Sequence, residues 1–199
     1  MTDGLTRCWW SLADTARPDT RMVAYHDTEW GVPVRDDTEL FERLALESFQ
    51  AGLSWSTILN KRDNFRAAFR GFDPRVVAAF DDGDRERLMA DAGIVRNRAK
   101  IEATIGNALR VLDLADAYGS FDAYLASLVP GPPARLPPGS TSDDIPASTP
   151  VSDALSRDLR RRGFRFVGST IVYAFMQSVG LVDDHLPGCF RYGAVGVTR

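Results

Sequence analysis

The sequence contains little cysteine and histidine, no long apolar run and no excess of positive charge. Two cysteines and two histidines occur among its 199 residues. No stretch approaches the roughly 18 consecutive apolar residues that suggest a transmembrane helix. The first residues, MTDGLTRCWW, lack the basic start and apolar stretch of a signal peptide, so we expect a soluble, cytoplasmic protein with reduced thiols.

The charge balance excludes a general electrostatic attraction to nucleic acid. The formal net charge is -3, so any contact with DNA must be local. Two basic stretches are candidates for it, namely Arg96, Arg98 and Lys100, and the denser series Arg157, Arg160, Arg161, Arg162 and Arg165. On charge alone, both are more simply explained as solvated helix faces.

Helix signals dominate the sequence, and the alternation typical of strands is nearly absent. Asp36 and Glu39 have the spacing of a capping box, and the apolar stripe that follows consists of Leu40, Phe41, Leu44 and Ala51, ending at Gly52. Further helices are predicted from Ser54, from Asp73 and Pro74, over 85–92, over 97–114, from Thr149 until before Gly163, and over 169–179. In the helix over 97–114, one face carries Ile101, Ile105, Leu109 and Leu112.

These signals predict an all-α protein. We expect a single compact helical domain over residues 1–199, in which two lobes are possible, with a helix-hairpin-helix near 85–114. The segment 130–148 is rich in Pro, Gly and Ser, which disfavours regular structure. We predict a loop there and assign it no function.

All the cysteine and histidine side chains, Cys8, His26, His185 and Cys189, lie near the two ends of the sequence. His185 and Cys189 are separated by three residues, which include a Pro-Gly turn, and this is an ordinary spacing for two ligands of one metal. Two thiolates and two imidazoles suit tetrahedral zinc, and four protein ligands would make the ion structural. The looser spacing of Cys8 and His26 leaves open that the four residues are unrelated.

Glu47 falls on the apolar side of its predicted helix, where a charge needs a reason. One explanation is a stem that packs while the carboxylate reaches solvent. The other is a carboxylate that lines a pocket walled by Trp55. Aromatic faces and a buried acceptor are what a base flipped out of DNA requires. Further candidates for the wall, each also compatible with ordinary packing, are Tyr25, Trp10 and Trp30.

The stretch DAGIVRNRAKI, residues 91–101, places Gly93 between two predicted helices with cations nearby. Backbone N–H groups at such a turn and at a helix N-terminus bind phosphate without sequence preference. Because AGI also occurs in ordinary helix connections, the turn alone leaves both explanations open.

Taken together, these residues resemble the family of bacterial DNA-3-methyladenine glycosylase I, a branch of the helix-hairpin-helix glycosylases. The resemblance covers nearly the whole chain, and so many ordered matches are highly specific. It is carried by AYHDTEWGVP (24–33), LFERLALESFQAGLSW (40–55), DAGIVRNRAKI (91–101), the stretch 148–185, and the Cys8 and Cys189 ends.

The resemblance implies roles for individual residues. Zinc ligands fall on the Cys8, His26, His185 and Cys189 set. The base-binding and catalytic glutamate falls on Glu47, with Tyr25, Trp55 and Trp10 around the base. It also implies that the hairpin at Gly93, with Arg96 and Lys100, contacts the DNA backbone and that Leu53 lies against the gap left by the flipped nucleotide. Met22 departs from the family pattern, since a pocket tyrosine is expected there.

The implied activity is hydrolysis of the N-glycosidic bond of 3-methyladenine in double-stranded alkylated DNA, by a monomer that needs one structural zinc ion. The family lacks the catalytic aspartate of related glycosylases, so Asp113 and Asp116 are expected to be surface residues. No lysine stands out as an amine nucleophile, which predicts base release without strand cleavage. The alternatives are a non-catalytic DNA-binding or scaffold protein of the same fold, and a zinc hydrolase with an open metal site.

Overall fold

The computed structural model describes residues 3–12 and 19–194, and these residues are mostly helical. The α-helices are α1 (Thr20–Thr28), α2 (Asp37–Gln50), α3 (Trp55–Ala68), α4 (Pro74–Ala78), α5 (Asp82–Ala90), α6 (Arg98–Tyr118), α7 (Phe121–Leu128), α8 (Pro150–Arg161) and α9 (Ser169–Ser178). Short 3-10 helices cover Trp9–Leu12, Arg70–Phe72 and Ser142–Asp144. Within the described ranges, no helix has the length and apolar character needed to cross a membrane.

Two two-residue strands interrupt the helical pattern. The strands β1 (Ala134–Arg135) and β2 (Val182–Asp183) pair in parallel, with Ala134 opposite Val182. The segment 130–148 is therefore anchored to the region that follows α9, and it includes a short 3-10 helix. Our prediction of a loop without regular structure was wrong in these two places.

The helix starts follow the predicted capping residues. The Asp36 carboxylate accepts a hydrogen bond from the Glu39 backbone N–H at 3.0 Å, which confirms the N-cap of α2. The Glu39 carboxylate pairs with Arg43 instead of closing a capping box. A complete capping box is present at α8, where Thr149 and Ser152 bond reciprocally.

Helix α2 is the centre of the fold. It packs against α3, α6, α7 and α9, and every residue from Leu40 to Phe49 is buried. The polar side chains within this stretch, from Glu42 to Ser48, are buried as well, and Glu42 forms an ion pair with Arg66 at 2.8 Å. The single apolar stripe predicted for α2 therefore understates its burial. A helix enclosed on all sides is a rigid support for Glu47.

The inner face of α6 differs from our prediction. Leu109 is 44% exposed, whereas Ile101, Ile105 and Ala108 are buried. At about 3.6 residues per turn, Ala108 lies closer to the direction of Ile101 than Leu109 does. Placing Leu109 on the buried face was wrong.

Candidate active site and metal cluster

A pocket of about 270 Å³ lies among residues from α1, α2, α3 and α9. Its walls are formed by Trp10, Met22, Tyr25, Trp30, Glu47, Gln50, Trp55, Ile145, Ala174 and Gln177. All the side chains predicted to bind a base are among them, although they come from three separate parts of the sequence. Met22, where the resemblance implies a tyrosine, is also in the wall.

The aromatic side chains of the pocket contact one another and form a continuous wall. The ring centroids of Tyr25 and Trp55 are 5.0 Å apart. Trp10 lies 6.3 Å from Tyr25 and 5.0 Å from Trp30, again between centroids. Rings this close leave no room for a base between them. A flat ligand would therefore stack on this wall, offering the wall one of its faces.

Glu47 lies in the pocket with only 5% of its surface exposed. Burial raises the pKa of its carboxyl group to about 8, although the nearby Arg43 opposes this effect. Among the described residues its carboxylate has no hydrogen-bond partner. The alternative in which the Glu47 head reaches solvent is therefore wrong, and the carboxyl group that lines the pocket stays largely protonated at neutral pH.

Two aromatic residues of the wall carry polar atoms without partners. The Tyr25 hydroxyl and the Trp55 indole N–H are buried and form no hydrogen bond within the described part of the chain. A buried polar group without a partner destabilises a fold by about 1–3 kcal/mol. Such groups are commonly satisfied by a ligand or a bound water. Their position next to Glu47 is thus an independent indication of a polar, flat ligand.

Arg43 forms ion pairs beside the pocket and contacts the Tyr25 ring. Its Nη2 donates to Glu29 and to Glu39, each at 3.0 Å. Glu29 also accepts from Arg62 at 2.6 Å. The Arg43 guanidinium lies 5.6 Å from the centroid of the Tyr25 ring. This ion-pair network, centred on the buried Arg43, links the end of α1 to α2 and α3 next to the aromatic wall.

Cys8, His26, His185 and Cys189 come together as the sequence predicted. All four are buried, and one ligand atom from each lies within 4.8 Å of the others. The Cys189 sulfur is 3.4 Å from His26 Nε2, and both sulfurs are 3.7 Å from His185 Nδ1. The four residues are therefore not unrelated, and the cluster has the atoms to hold a metal ion.

Groups around the cluster orient its members. His26 Nδ1 lies 2.8 Å from Asp27 Oδ1, which leaves Nε2 facing the cluster. The backbone N–H groups of Leu186 and Arg191 donate to the two sulfurs, each at 3.4 Å. A hydrogen bond from the second thiol lowers the pKa of Cys189, as do hydrogen bonds from the histidines. A thiolate held in this way is the form that ligates metal.

The metal cluster and the pocket share two tryptophans. Trp10 contacts His26 edge to face at 5.3 Å between centroids, and Trp30 contacts His185 in the same manner at 4.6 Å. The His185 Nε2 atom also lies 3.3 Å from the Trp30 carbonyl oxygen. The two histidines of the cluster therefore lie directly against the wall of the pocket.

The hairpin between α5 and α6 contains the predicted glycine turn. The Gly93 N–H donates to the Asp91 carboxylate at 2.7 Å. A Cβ at Gly93 would lie 2.9 Å from that carboxylate and 3.2 Å from Asn64, so only glycine fits without rearrangement. Arg96 beside the turn is exposed, and Leu53, on the turn before α3, is 42% exposed.

Lys100 has a different place from the one predicted. Its ammonium is buried and donates to the carbonyl oxygens of Phe49 at 2.9 Å and of Ala51 at 2.7 Å. A cation at the C-terminal end of α2 satisfies carbonyls that have no partner within the helix. Lys100 therefore connects the hairpin to the helix that carries Glu47. The prediction that Lys100 contacts DNA was wrong.

The chain is similar to known proteins over most of its length. The methyladenine glycosylase family model matches residues 15–192. The chain belongs to the methyladenine glycosylase family. It is 49% identical over 188 residues to DNA-3-methyladenine glycosylase 1 of Escherichia coli (strain K12), covering 94% of this chain and 97% of that protein.

Solved structures of this family match the fold closely. A crystal structure of 3-methyladenine DNA glycosylase I superposes with a TM-score of 0.87 at 49% identity, over 94% of this chain and 100% of the other. A tyrosine-to-phenylalanine variant of such a glycosylase, crystallised in complex with 3-methyladenine, gives a TM-score of 0.84 at 39% identity, over 88% of this chain and 94% of the other.

Four pocket residues of this methyladenine glycosylase were not predicted from the sequence, namely Gln50, Ile145, Ala174 and Gln177. Gln50 and Gln177 stand on helices next to predicted features, but an isolated glutamine gives no signal of its own. Ile145 is a correction, because it belongs to the segment 130–148, to which we assigned no function. The pairing of β1 with β2 anchors that segment beside the region following α9.

Proposed function

We propose that this protein hydrolyses the N-glycosidic bond of 3-methyladenine in alkylated double-stranded DNA and releases the free base. The observation that carries the proposal is the buried Glu47 carboxyl group, which lacks a partner among the described residues and lies beside the aromatic wall. The family relationship supports the same activity.

Selection of the lesion follows from the charge of the base. Methylation at N3 makes adenine cationic while it is attached to the sugar, and a cation pairs with the Glu47 carboxylate in a site of low dielectric constant. The aromatic wall favours a cationic ring for the same reason that it favours other cations. Normal adenine is neutral and gains neither interaction.

The chemistry requires little from the protein, since the methylated base is already a good leaving group. When the bond from C1′ to N9 breaks, the electron pair goes to the base and neutralises its charge. The sugar becomes an oxocarbenium-like cation, which captures water, and the water then loses a proton.

The two lysines of the sequence both donate hydrogen bonds to backbone carbonyls. Lys61 donates to those of Ala92 and Gly93, and Lys100 to those of Phe49 and Ala51. No free lysine amine is therefore available for a Schiff base, so the strand stays intact.

We propose zinc as the ion of the Cys8, His26, His185 and Cys189 cluster. Its mixed sulfur and nitrogen donors and its burial suit a closed tetrahedral site. A metal bound there would stabilise the fold and has no vacant position for a reacting water. This argues against a zinc hydrolase.

The hairpin and the turn before α3 are proposed to contact the DNA. Arg96 is exposed and would pair with a phosphate, and the exposed Leu53 would fill the gap left by the flipped nucleotide. Gly93 has no side chain, so the backbone of the hairpin can approach the DNA strand closely. Its own N–H already donates a hydrogen bond to Asp91. We propose that a monomer does this without a protein partner.

The test is release of 3-methyladenine from methylated DNA. We expect release by the wild type and a loss of about 10- to 100-fold in Glu47→Gln, which is the range for a hydrogen bond to a charged group. Glu42→Gln is the matched control, since Glu42 is a buried glutamate of α2 that pairs with Arg66 outside the pocket. No release by the wild type, or full release by Glu47→Gln, contradicts the proposal.

A further inference from the structure

We infer that Gln177 recognises the amino group at C6 of the base and that Asp184 is the positioning residue that turns the Gln177 amide for this role. The inference rests on the proposed function and deepens it, because it names a specificity contact in the same pocket. It does not depend on Glu47.

The geometry at the end of α9 defines the orientation of the amide. Gln177 lines the pocket, and its Nε2 donates to Asp184 Oδ2 at 2.7 Å. The same oxygen accepts a hydrogen bond from the Tyr173 hydroxyl at 2.6 Å. Asp184 is 4% exposed, so the packing around it restricts the movement of its carboxylate.

The chemistry of the pair leaves one orientation. An ionised carboxylate only accepts hydrogen bonds, so the amide must offer Asp184 its NH₂ group. The carbonyl oxygen Oε1 is then the atom of Gln177 available to the pocket. In the part of the chain that the structure describes, Oε1 has no hydrogen-bond partner. The pocket thus contains a fixed acceptor in addition to Glu47.

Only one group of the base can meet such an acceptor. In DNA, N9 of 3-methyladenine is bonded to the sugar, N3 carries the methyl group, and N1 and N7 carry no hydrogen. The C6 amino group is therefore its single N–H donor. In 3-methylguanine a carbonyl oxygen occupies C6, and two acceptors facing one another repel. A fixed acceptor at this position favours the methylated adenine.

The experiment measures kcat/KM for release of 3-methyladenine and of 3-methylguanine from the same methylated DNA. Asp184→Asn allows the Gln177 amide to turn, because the new side chain can both donate and accept. We expect the ratio of 3-methyladenine to 3-methylguanine release to fall about 10-fold. Gln177→Met removes the acceptor at similar length and should also lower the ratio. Tyr173→Phe removes the other bond to Oδ2, leaves the acceptor in place and should keep the wild-type ratio.

Ratios within about twofold of the wild type in both Asp184→Asn and Gln177→Met would overturn the inference, as would an equal fall in Tyr173→Phe. Metal content and thermal unfolding are measured for each variant, since Asp184 precedes His185. If Asp184→Asn does not fold, Gln177→Met decides, because that side chain is only partly buried. A wild type that releases no methylated base refutes the proposed function, whereas an active enzyme with unchanged ratios refutes this inference alone.

Discussion

Replacing Glu47 by glutamine should stabilise the folded protein, and the stabilisation should grow as the pH rises. The reason is the desolvation of the carboxyl group. Burial raises its pKa from the ordinary 4.5 to about 8 in the folded protein. Glutamine has nearly the same size but cannot ionise, so it is free of the cost of burying a charge.

The magnitude follows from the linkage between proton binding and folding. Below pH 4.5 the carboxyl group is protonated in both states, and its ionisation has no effect on stability. Between pH 4.5 and about 8 the unfolded chain ionises while the folded protein stays protonated, so stability falls by about 1.4 kcal/mol per pH unit. Above pH 8 the full cost is present, with an upper limit of about 5 kcal/mol. Between pH 6 and 9 the advantage of Glu47→Gln should therefore grow by about 2 to 3 kcal/mol.

Urea unfolding followed by circular dichroism measures this difference. Wild type and Glu47→Gln are compared at pH 6 and at pH 9 with saturating zinc, so that the titration of all shared groups cancels. For a slope of about 3 kcal/mol per molar urea, the gap between the two midpoints should widen by about 1 M. A gap that stays constant between the two pH values would show that Glu47 ionises normally in the folded state and would refute the reasoning.

Four other changes have expected outcomes. Release of 3-methyladenine by the wild type should rise between pH 6 and 8.5 as Glu47 ionises, and an identical rise in Glu47→Gln would contradict this assignment. Removal of the metal by a chelator should lower the thermal midpoint by about 10 °C or more and change the fluorescence of Trp10 and Trp30, and unchanged emission would argue against their coupling to the cluster. Lys100→Met should lower the free energy of unfolding by about 2 kcal/mol and leave the salt dependence of DNA binding unchanged. Arg96→Ala should reduce the slope of log K against log salt by about one phosphate contact and should not destabilise the fold.

Local signals in the sequence were enough for the starts of α2, α3, α4, α6, α8 and α9 and for the cysteine–histidine cluster. They were not enough for α5, which begins at Asp82 and not at residue 85, or for α1 and α7, which were not predicted. The Asp36 cap is confirmed because its hydrogen bond is made within one turn of the chain. The cluster was predictable because the sequence holds no other cysteine or histidine. Glu47 was recognised as unusual because a charge on an apolar stripe conflicts with the pattern around it.

Features that depend on distant contacts were not predictable in the same way. The sequence marks Lys100 as one cation among several, and only the packing of α6 against α2 brings it to the Phe49 and Ala51 carbonyls. Ile145 belongs to a segment with loop composition, and only the anchoring of that segment places it in the pocket. Leu109 shows the same limit, since one residue of helical phase decides between burial and exposure.

The unsatisfied polar groups of the pocket lower the free energy of unfolding. Metal binding at the neighbouring cysteine–histidine cluster would raise it again. A buried carboxyl group, an unpartnered hydroxyl and an unpartnered indole N–H together remove several kcal/mol from a stability that is typically about 5–15 kcal/mol. The tryptophans that complete the aromatic wall rest against the two histidines of the cluster. Metal binding stabilises the folded state by the free energy of ligation. A metal ion bound by the cluster beside the pocket would therefore offset the cost of these unsatisfied groups and help to keep the shape of the pocket.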